Sequence, residues 1–154
     1  SGGGCEYLFH HYENSEFDTG KASLQCGRKV DALKLWLSWK SKGHLGMQKF
    51  VDQQLEKARY LTQIVKEHPR LKLVCEPEYL NVCFQVIPEN DSLEINQFNL
   101  DLRFKMVREG NFLVNFSSDK DGTTYFRFVF SNEMTQKDDI DKFISHLLSI
   151  AKVK

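Results

Sequence analysis

The chain has 154 residues, about one domain's length, with 21 basic and 21 acidic side chains and a formal net charge of zero. That balance excludes a polybasic nucleic-acid binder and an acidic tail, and 12 Phe, 5 Tyr and 2 Trp exclude a disordered polymer. No apolar run approaches the roughly 18 residues that span a bilayer, and no basic segment followed by an apolar one marks a secretory signal.

Ser1-Gly2-Gly3-Gly4 reads as a flexible linker. Residues 5–26 are rich in polar and turn-forming residues and read as a loop, although Tyr7-Leu8-Phe9 needs an apolar partner from elsewhere. Residues 28–42 predict a helix with Leu33, Trp36, Leu37 and Lys40 on one face, widened by Leu35 and Trp39. So wide an apolar stripe predicts burial between two layers. Lys42-Gly43 and Gly46 break the helix, and a second one over 47–67 carries Val51, Leu55, Ala58, Leu61 and Val65 at spacings of three and four. Pro69 ends it by forcing its predecessor into extended geometry.

The period then changes. Residues 71–75 and 80–87 predict strands around Glu76-Pro77-Glu78. In the second, Leu80, Val82, Phe84 and Val86 alternate with Asn81, Cys83, Gln85 and Ile87. Asp91 with Glu94 forms a capping-box pattern for a third helix with Ile95, Phe98, Leu102 and Met106 inward and Gly110 at its C-terminus. Strands over 112–117 and 123–130 flank the turn Asp119-Lys120-Asp121-Gly122, and Thr135 caps a last helix carrying Ile140, Phe143, Ile144, Leu147 and Ala151. The order loop-α-α-β-β-α-β-β-α predicts an α+β fold, a four-stranded antiparallel sheet with packed helices.

Cys5, Cys26, Cys75 and Cys83 contain no C-x-x-C pair and predict free thiols in a reducing compartment, with Cys83 as a small core residue. Cys5, His10, His11 and Cys26 match no strong zinc spacing, so no metal site is expected. His44, His68 and His146 are isolated and read as solvated. On the last strand, Phe126, Phe128 and Phe130 share a core face, which leaves Arg127 on the other beside Tyr125 and Val129. Two readings of Arg127 stand at this level: a solvated arginine on an open sheet face, or a clamp for a carboxylate or phosphate.

Several runs resemble one family. They are Tyr7-Leu8-Phe9, Asp18-Thr19-Gly20, Gln25-Cys26-Gly27-Arg28-Lys29-Val30-Asp31 before the Trp-bearing helix, Glu76-Pro77-Glu78-Tyr79-Leu80-Asn81-Val82-Cys83-Phe84, and Tyr125-Phe126-Arg127-Phe128-Val129-Phe130-Ser131-Asn132. They are similar to the group II pyridoxal-phosphate-dependent amino-acid decarboxylases, in the branch acting on acidic amino acids. The Glu-Pro-Glu-Tyr run leans towards the cysteine sulfinate members. The resemblance implies cytoplasmic, homodimeric enzymes of the type I fold, much longer than this chain.

By that resemblance, residues 1–26 are a linker and the end of the catalytic loop, 27–68 are connecting helices, and 69–154 are the C-terminal α+β small domain. The activity implied is removal of the α-carboxylate from cysteine sulfinate, aspartate or glutamate. The alternative is a stand-alone, non-catalytic interaction or regulatory domain of the same fold. The implied partners are the large domain of the same enzyme, a second subunit and a small acidic amino acid; no nucleic acid or membrane is expected. The family's cofactor is pyridoxal 5′-phosphate. The lysine that holds it follows an Asn-Pro-His type run, which no lysine here does, so this chain by itself is expected to be inactive.

Two of the family's functional positions match. Tyr7 corresponds to the catalytic-loop tyrosine that donates a proton after carbon dioxide leaves, and Arg127 to the arginine that binds the substrate carboxylate. Gln25, Cys26 and Gly27 correspond to residues near the cofactor and the subunit interface. Gln85 stands where relatives usually have Trp, the segment after Pro88 is short, and the residues between Phe9 and Asp18 differ.

Overall fold

The computed structural model describes residues 30–90 and 93–152. Tyr7, Gln25, Cys26 and Gly27, the other loop cysteine and both loop histidines, and Asp91 lie outside them. The chain divides into two compact units, Ser1–Met47 and Gln48–Lys154.

Helix α1 (Asp31–Glu67) contributes to both units and replaces the two predicted helices. The predicted break survives as a kink: Gly43 has φ 67° and ψ −177°, outside helical space. Positive φ there is tolerable because glycine has no Cβ to clash. In the first unit, Leu33, Leu35, Trp36, Leu37 and Trp39 are exposed. Among the described residues of that unit nothing covers the stripe, so the expected burial between two layers is not met within it. In the second unit, Ala58, Leu61 and Val65 of α1 enter the core.

The rest of the second unit follows the predicted order. Strands β1 (Leu71–Leu73) and β2 (Asn81–Val86) form a hairpin; α2 (Ile95–Glu109) follows; β3 (Asn115–Ser118) and β4 (Thr124–Val129) form a second hairpin; α3 (Lys137–Ile150) ends the unit. The sheet is antiparallel throughout, in the order β1-β2-β4-β3. Its centre is the pairing of β2 with β4, with Val82 opposite Phe128 and Phe84 opposite Phe126.

Alternation sorts the two faces. Val82, Phe84, Val86, Phe126 and Phe130 are buried, and Phe128 packs against them. Met106 and Leu102 of α2 and Ile140, Phe143 and Leu147 of α3 complete that core. Its rings meet mostly edge to face: Phe116 on Phe126 at 5.4 Å and Phe128 on Phe143 at 5.3 Å between centroids. Such pairs add to the burial of their area, which alone stabilises by roughly 1.5–3 kcal/mol per ring.

Element ends have identifiable causes. Helix α2 starts where the Glu94 carboxylate accepts from the backbone N–H groups of Asn96 (2.9 Å) and Gln97 (2.6 Å). It stops at Gly110, in the left-handed region at φ 72°. Thr135 is not the cap of α3; Gln136 is, because its N–H donates to the Asp139 carboxylate at 2.9 Å. In the β3–β4 turn, Asp119 Oδ1 accepts from Asp121 N (3.0 Å) and Thr123 N (2.8 Å), with Gly122 at φ 81°.

Two histidines are more engaged than predicted. His68 Nδ1 accepts from Arg70 N at 3.2 Å. His146 Nε2 lies 3.1 Å from Glu109 and its ring 5.4 Å from that of Phe112. His44 is exposed, as predicted.

Candidate functional site: the open face of the sheet

Among the described residues, helices cover one face of the sheet, and the other carries Asn81, Cys83, Tyr125, Arg127 and Val129. Arg127 lies at the middle of that second face. On β4 it stands directly opposite Cys83 of β2 on one side and Asn115 of β3 on the other. Three phenylalanines on the core face fix its direction, since adjacent residues of a strand point to opposite sides. Arg127 is exposed, with half-buried Tyr125 on its own strand. Among the described residues, no carboxylate pairs with its guanidinium.

Cys83 is on this face and half-buried, not in the core. The alternation explains the correction: Val82 and Phe84 take the two core positions beside it. Burial pushes its thiol pKa up, Cys75 raises it further, and the nearby Arg127 charge pulls it down. Cys75 and Cys83 are both free thiols.

One end of the face is closed by a polar network that the sequence reading missed. Buried Gln85 donates to Thr124 O at 2.8 Å and to Asn96 Oδ1 at 3.2 Å. Asn96 Oδ1 also accepts from Thr124 N at 3.0 Å. Deeper in, Asn99 is fully buried. Its Oδ1 accepts from Val86 N (2.8 Å), and its Nδ2 donates to Val86 O (2.9 Å) and Ile95 O (2.7 Å). The β2–β4 ladder stops at Phe84 and Phe126, and the Asn99 amide takes the place of the next backbone pair. Asn96 of α2 thereby anchors the start of β4, three residues before Arg127, and Asn99 holds the end of β2. A signal was present in the sequence: Asn99 falls on the α2 face of Ile95, Leu102 and Met106, where a polar residue needs a buried partner.

The loop after β1 is tied to α1 by Lys66 and Glu76, 2.6 Å apart. Among the described residues no cluster of three or more His, Cys, Asp or Glu side chains is arranged to hold a metal ion. No helix among them is long and apolar enough to cross a membrane.

An antiparallel sheet with helices packed on one face, and an arginine without a carboxylate partner among the described residues on the other, defines an α+β module. The family follows from comparison: the pyridoxal-dependent decarboxylase conserved domain matches residues 4–87, more than half of the chain, and the chain belongs to that family. It is 33% identical over 157 aligned residues to the cysteine sulfinic acid decarboxylase of Mus musculus, covering 95% of this chain and 32% of that protein. It is 29% identical to an acidic amino acid decarboxylase of Homo sapiens, covering 96% of this chain and 30% of that one. The fold superimposes on a crystal structure of mouse CSAD with a TM-score of 0.72 at 33% identity, over 86% of this chain and 30% of the other. A tryptophan decarboxylase of Catharanthus roseus shares the fold at a TM-score of 0.71 and 21% identity. The chain spans about a third of the length of the curated relatives it matches.

The described residues do not by themselves fit the family's cofactor. Pyridoxal chemistry needs a lysine amine held beside the cofactor aldehyde. Lys57 is the buried lysine among the described residues, and its Nζ donates to Glu133 O at 3.1 Å. Glu56, Glu133, Asp138 and Asp139 line the surface around it together with Lys137 and Lys142, and the Lys57 amine is already committed to that carbonyl. The other described lysines are half-buried or exposed.

Proposed function

We propose that the chain is the C-terminal portion of a pyridoxal-phosphate-dependent carboxy-lyase that removes the α-carboxylate of an acidic amino acid. The substrate is cysteine sulfinate, aspartate or glutamate. The observation that carries the reading is Arg127, an exposed guanidinium on the open face, free of carboxylate partners among the described residues. A planar guanidinium grips a carboxylate through two parallel N–H···O bonds, which fixes the plane of the carboxylate as well as its position. Fixing that plane sets the direction in which the bond to the departing carboxylate lies.

Tyr7 is assigned the proton donor through the resemblance. A phenol of ordinary pKa, about 10, keeps its proton near neutrality and can give it up to a developing carbanion. The cofactor's anchor is assigned to the large domain, and Gln25, Cys26 and Gly27 to its neighbourhood. The complete enzyme is expected to be a homodimer.

Carbon dioxide release tests the proposal. The complete enzyme, supplied with each acidic amino acid in turn, is expected to turn over at least one at about 1 per second or faster. This chain alone with pyridoxal phosphate is expected to release no more than the free cofactor does. A complete enzyme no faster than free cofactor on every acidic amino acid would favour the non-catalytic domain instead.

A further inference from the structure

Cys75 and Cys83 are separated by seven residues of sequence but meet across the β1–β2 hairpin. The ladder runs one residue past β1: Val74 N donates to Cys83 O at 3.0 Å, making these two a hydrogen-bonded pair. Cys75 is the next residue. A cross-strand pair of that kind has its Cα atoms about 5.5 Å apart, so the diagonal step to Cys75 gives roughly 6–7 Å. That is at the upper end of what a disulfide spans, about 4.4–6.8 Å.

The direction of Cys75 also matters. In a continuous strand it would follow Leu71 and Leu73 into the core, but the chain bends at Val74 and Cys75 is exposed. Cys83 lies half-buried on the open face. The two thiols are close enough for Cys75 to act directly on the ionisation of Cys83. Glu76, next in sequence, is tied to Lys66 of α1 at 2.6 Å, which limits how far the loop can swing away.

We propose that Cys75 and Cys83 form a redox-active dithiol, a modification site whose oxidant is a hydroperoxide. The exposed Cys75 sulfur attacks the peroxide. An S–O bond forms, the O–O bond breaks, and the alcohol or water leaves with the thiol proton. The Cys83 sulfur then attacks the Cys75 sulfenic acid; the S–S bond forms and the hydroxyl leaves as water with the Cys83 proton. The peroxide is reduced by two electrons and the two thiols are oxidised by one each. A dithiol reductant restores the pair. The site stands independently of the proposed decarboxylase activity.

The test is a hydroperoxide titration of the full chain followed by peptide mapping. Trypsin leaves both cysteines in the peptide Leu73–Arg103, whose mass falls by two hydrogen atoms on oxidation. Cleavage after Glu78 separates Cys75 from Cys83, and the fragments should stay joined until reduced. The Cys83→Ser variant should lose the joined fragments and drive Cys75 on to the sulfinic acid. Cys5→Ser with Cys26→Ser should leave the joined fragments unchanged. Fragments that come apart without reductant, with Cys75 over-oxidised or linked to Cys5 or Cys26 in the wild-type chain, would overturn the proposal.

Discussion

Replacing Asn99 by Ala tests the anchor that holds α2 against the sheet. The substitution removes three hydrogen bonds, of 2.7–2.9 Å. Ile95 O is a helix carbonyl and still has its own i+4 partner, so its loss is minor. Val86 N and O have no alternative: Val86 is fully buried and β4 has already left the ladder. Each stranded buried backbone group costs about 1–3 kcal/mol, so the pair gives about 2–6 kcal/mol. With a urea slope of about 2 kcal/mol/M, the unfolding midpoint should fall by about 1–3 M or the domain should unfold in water. Asn99→Asp separates hydrogen bonding from size. A protonated Asp can still donate to Val86 O, whereas the ionised form is an uncompensated buried charge facing two carbonyls. Burial raises its folded pKa above the unfolded value, so the destabilisation grows as pH rises from about 4 upward until the folded pKa is passed. Circular dichroism during urea titration at about pH 5 and about pH 8 reads both effects. A midpoint shift below about 0.3 M for Asn99→Ala, or an Asn99→Asp penalty independent of pH, would refute the assignment of Asn99 as a surrogate ladder partner.

Glu94 has its carboxyl pKa held below the ordinary value by the backbone N–H groups of Asn96 and Gln97. Its stabilising effect is therefore present above the unfolded carboxylate pKa and lost as pH falls through the lower folded one. The thermal midpoints of wild type and Glu94→Gln should converge in acid and separate near neutrality. Tyr7→Phe in the complete enzyme keeps the ring and removes the proton; decarboxylation should fall by about 10²–10⁴-fold, and unchanged turnover would remove Tyr7 from the mechanism. Leu35, Trp36 and Trp39 leave an apolar surface on α1, so the isolated chain should self-associate in light scattering. Trp36→Lys with Trp39→Lys should reduce that association.

Sequence periodicity went furthest where one face of an element is buried. The strand alternation placed Phe126, Phe128 and Phe130 inside and Arg127 outside, and the α2 and α3 stripes supplied Leu102, Met106, Phe143 and Leu147 to the core. Gly110 was legible because a left-handed helix end favours glycine. The differences have several causes. Gln54 and Lys57 are buried polar residues of α1 that a pattern of apolar positions passes over, and Asn99 shows only as a polar residue on the apolar face of α2. Cys83 reads as a core residue because its neighbours Val82 and Phe84 are apolar, although alternation sets it on the other face with Asn81 and Gln85. Thr135 was read as a cap, whereas Gln136 is satisfied by Asp139 one turn on. The open face of β4 could be located from alternation; that its arginine meets a carboxylate rests on resemblance to the family.

The most direct test of the central claim is kcat/KM of Arg127 variants in the complete enzyme, with cofactor content measured alongside. Lysine keeps the charge without the bidentate fork, and methionine removes both. Truncating one member of a desolvated charge pair costs about 2–5 kcal/mol, or about 30-fold to several-thousand-fold in rate. Arg127→Lys should keep its cofactor and lose at least about tenfold in kcat/KM, and Arg127→Met should lose more. Both variants within about threefold of wild type would make Arg127 a solvated sheet residue and contradict the assignment of the open face as the carboxylate site.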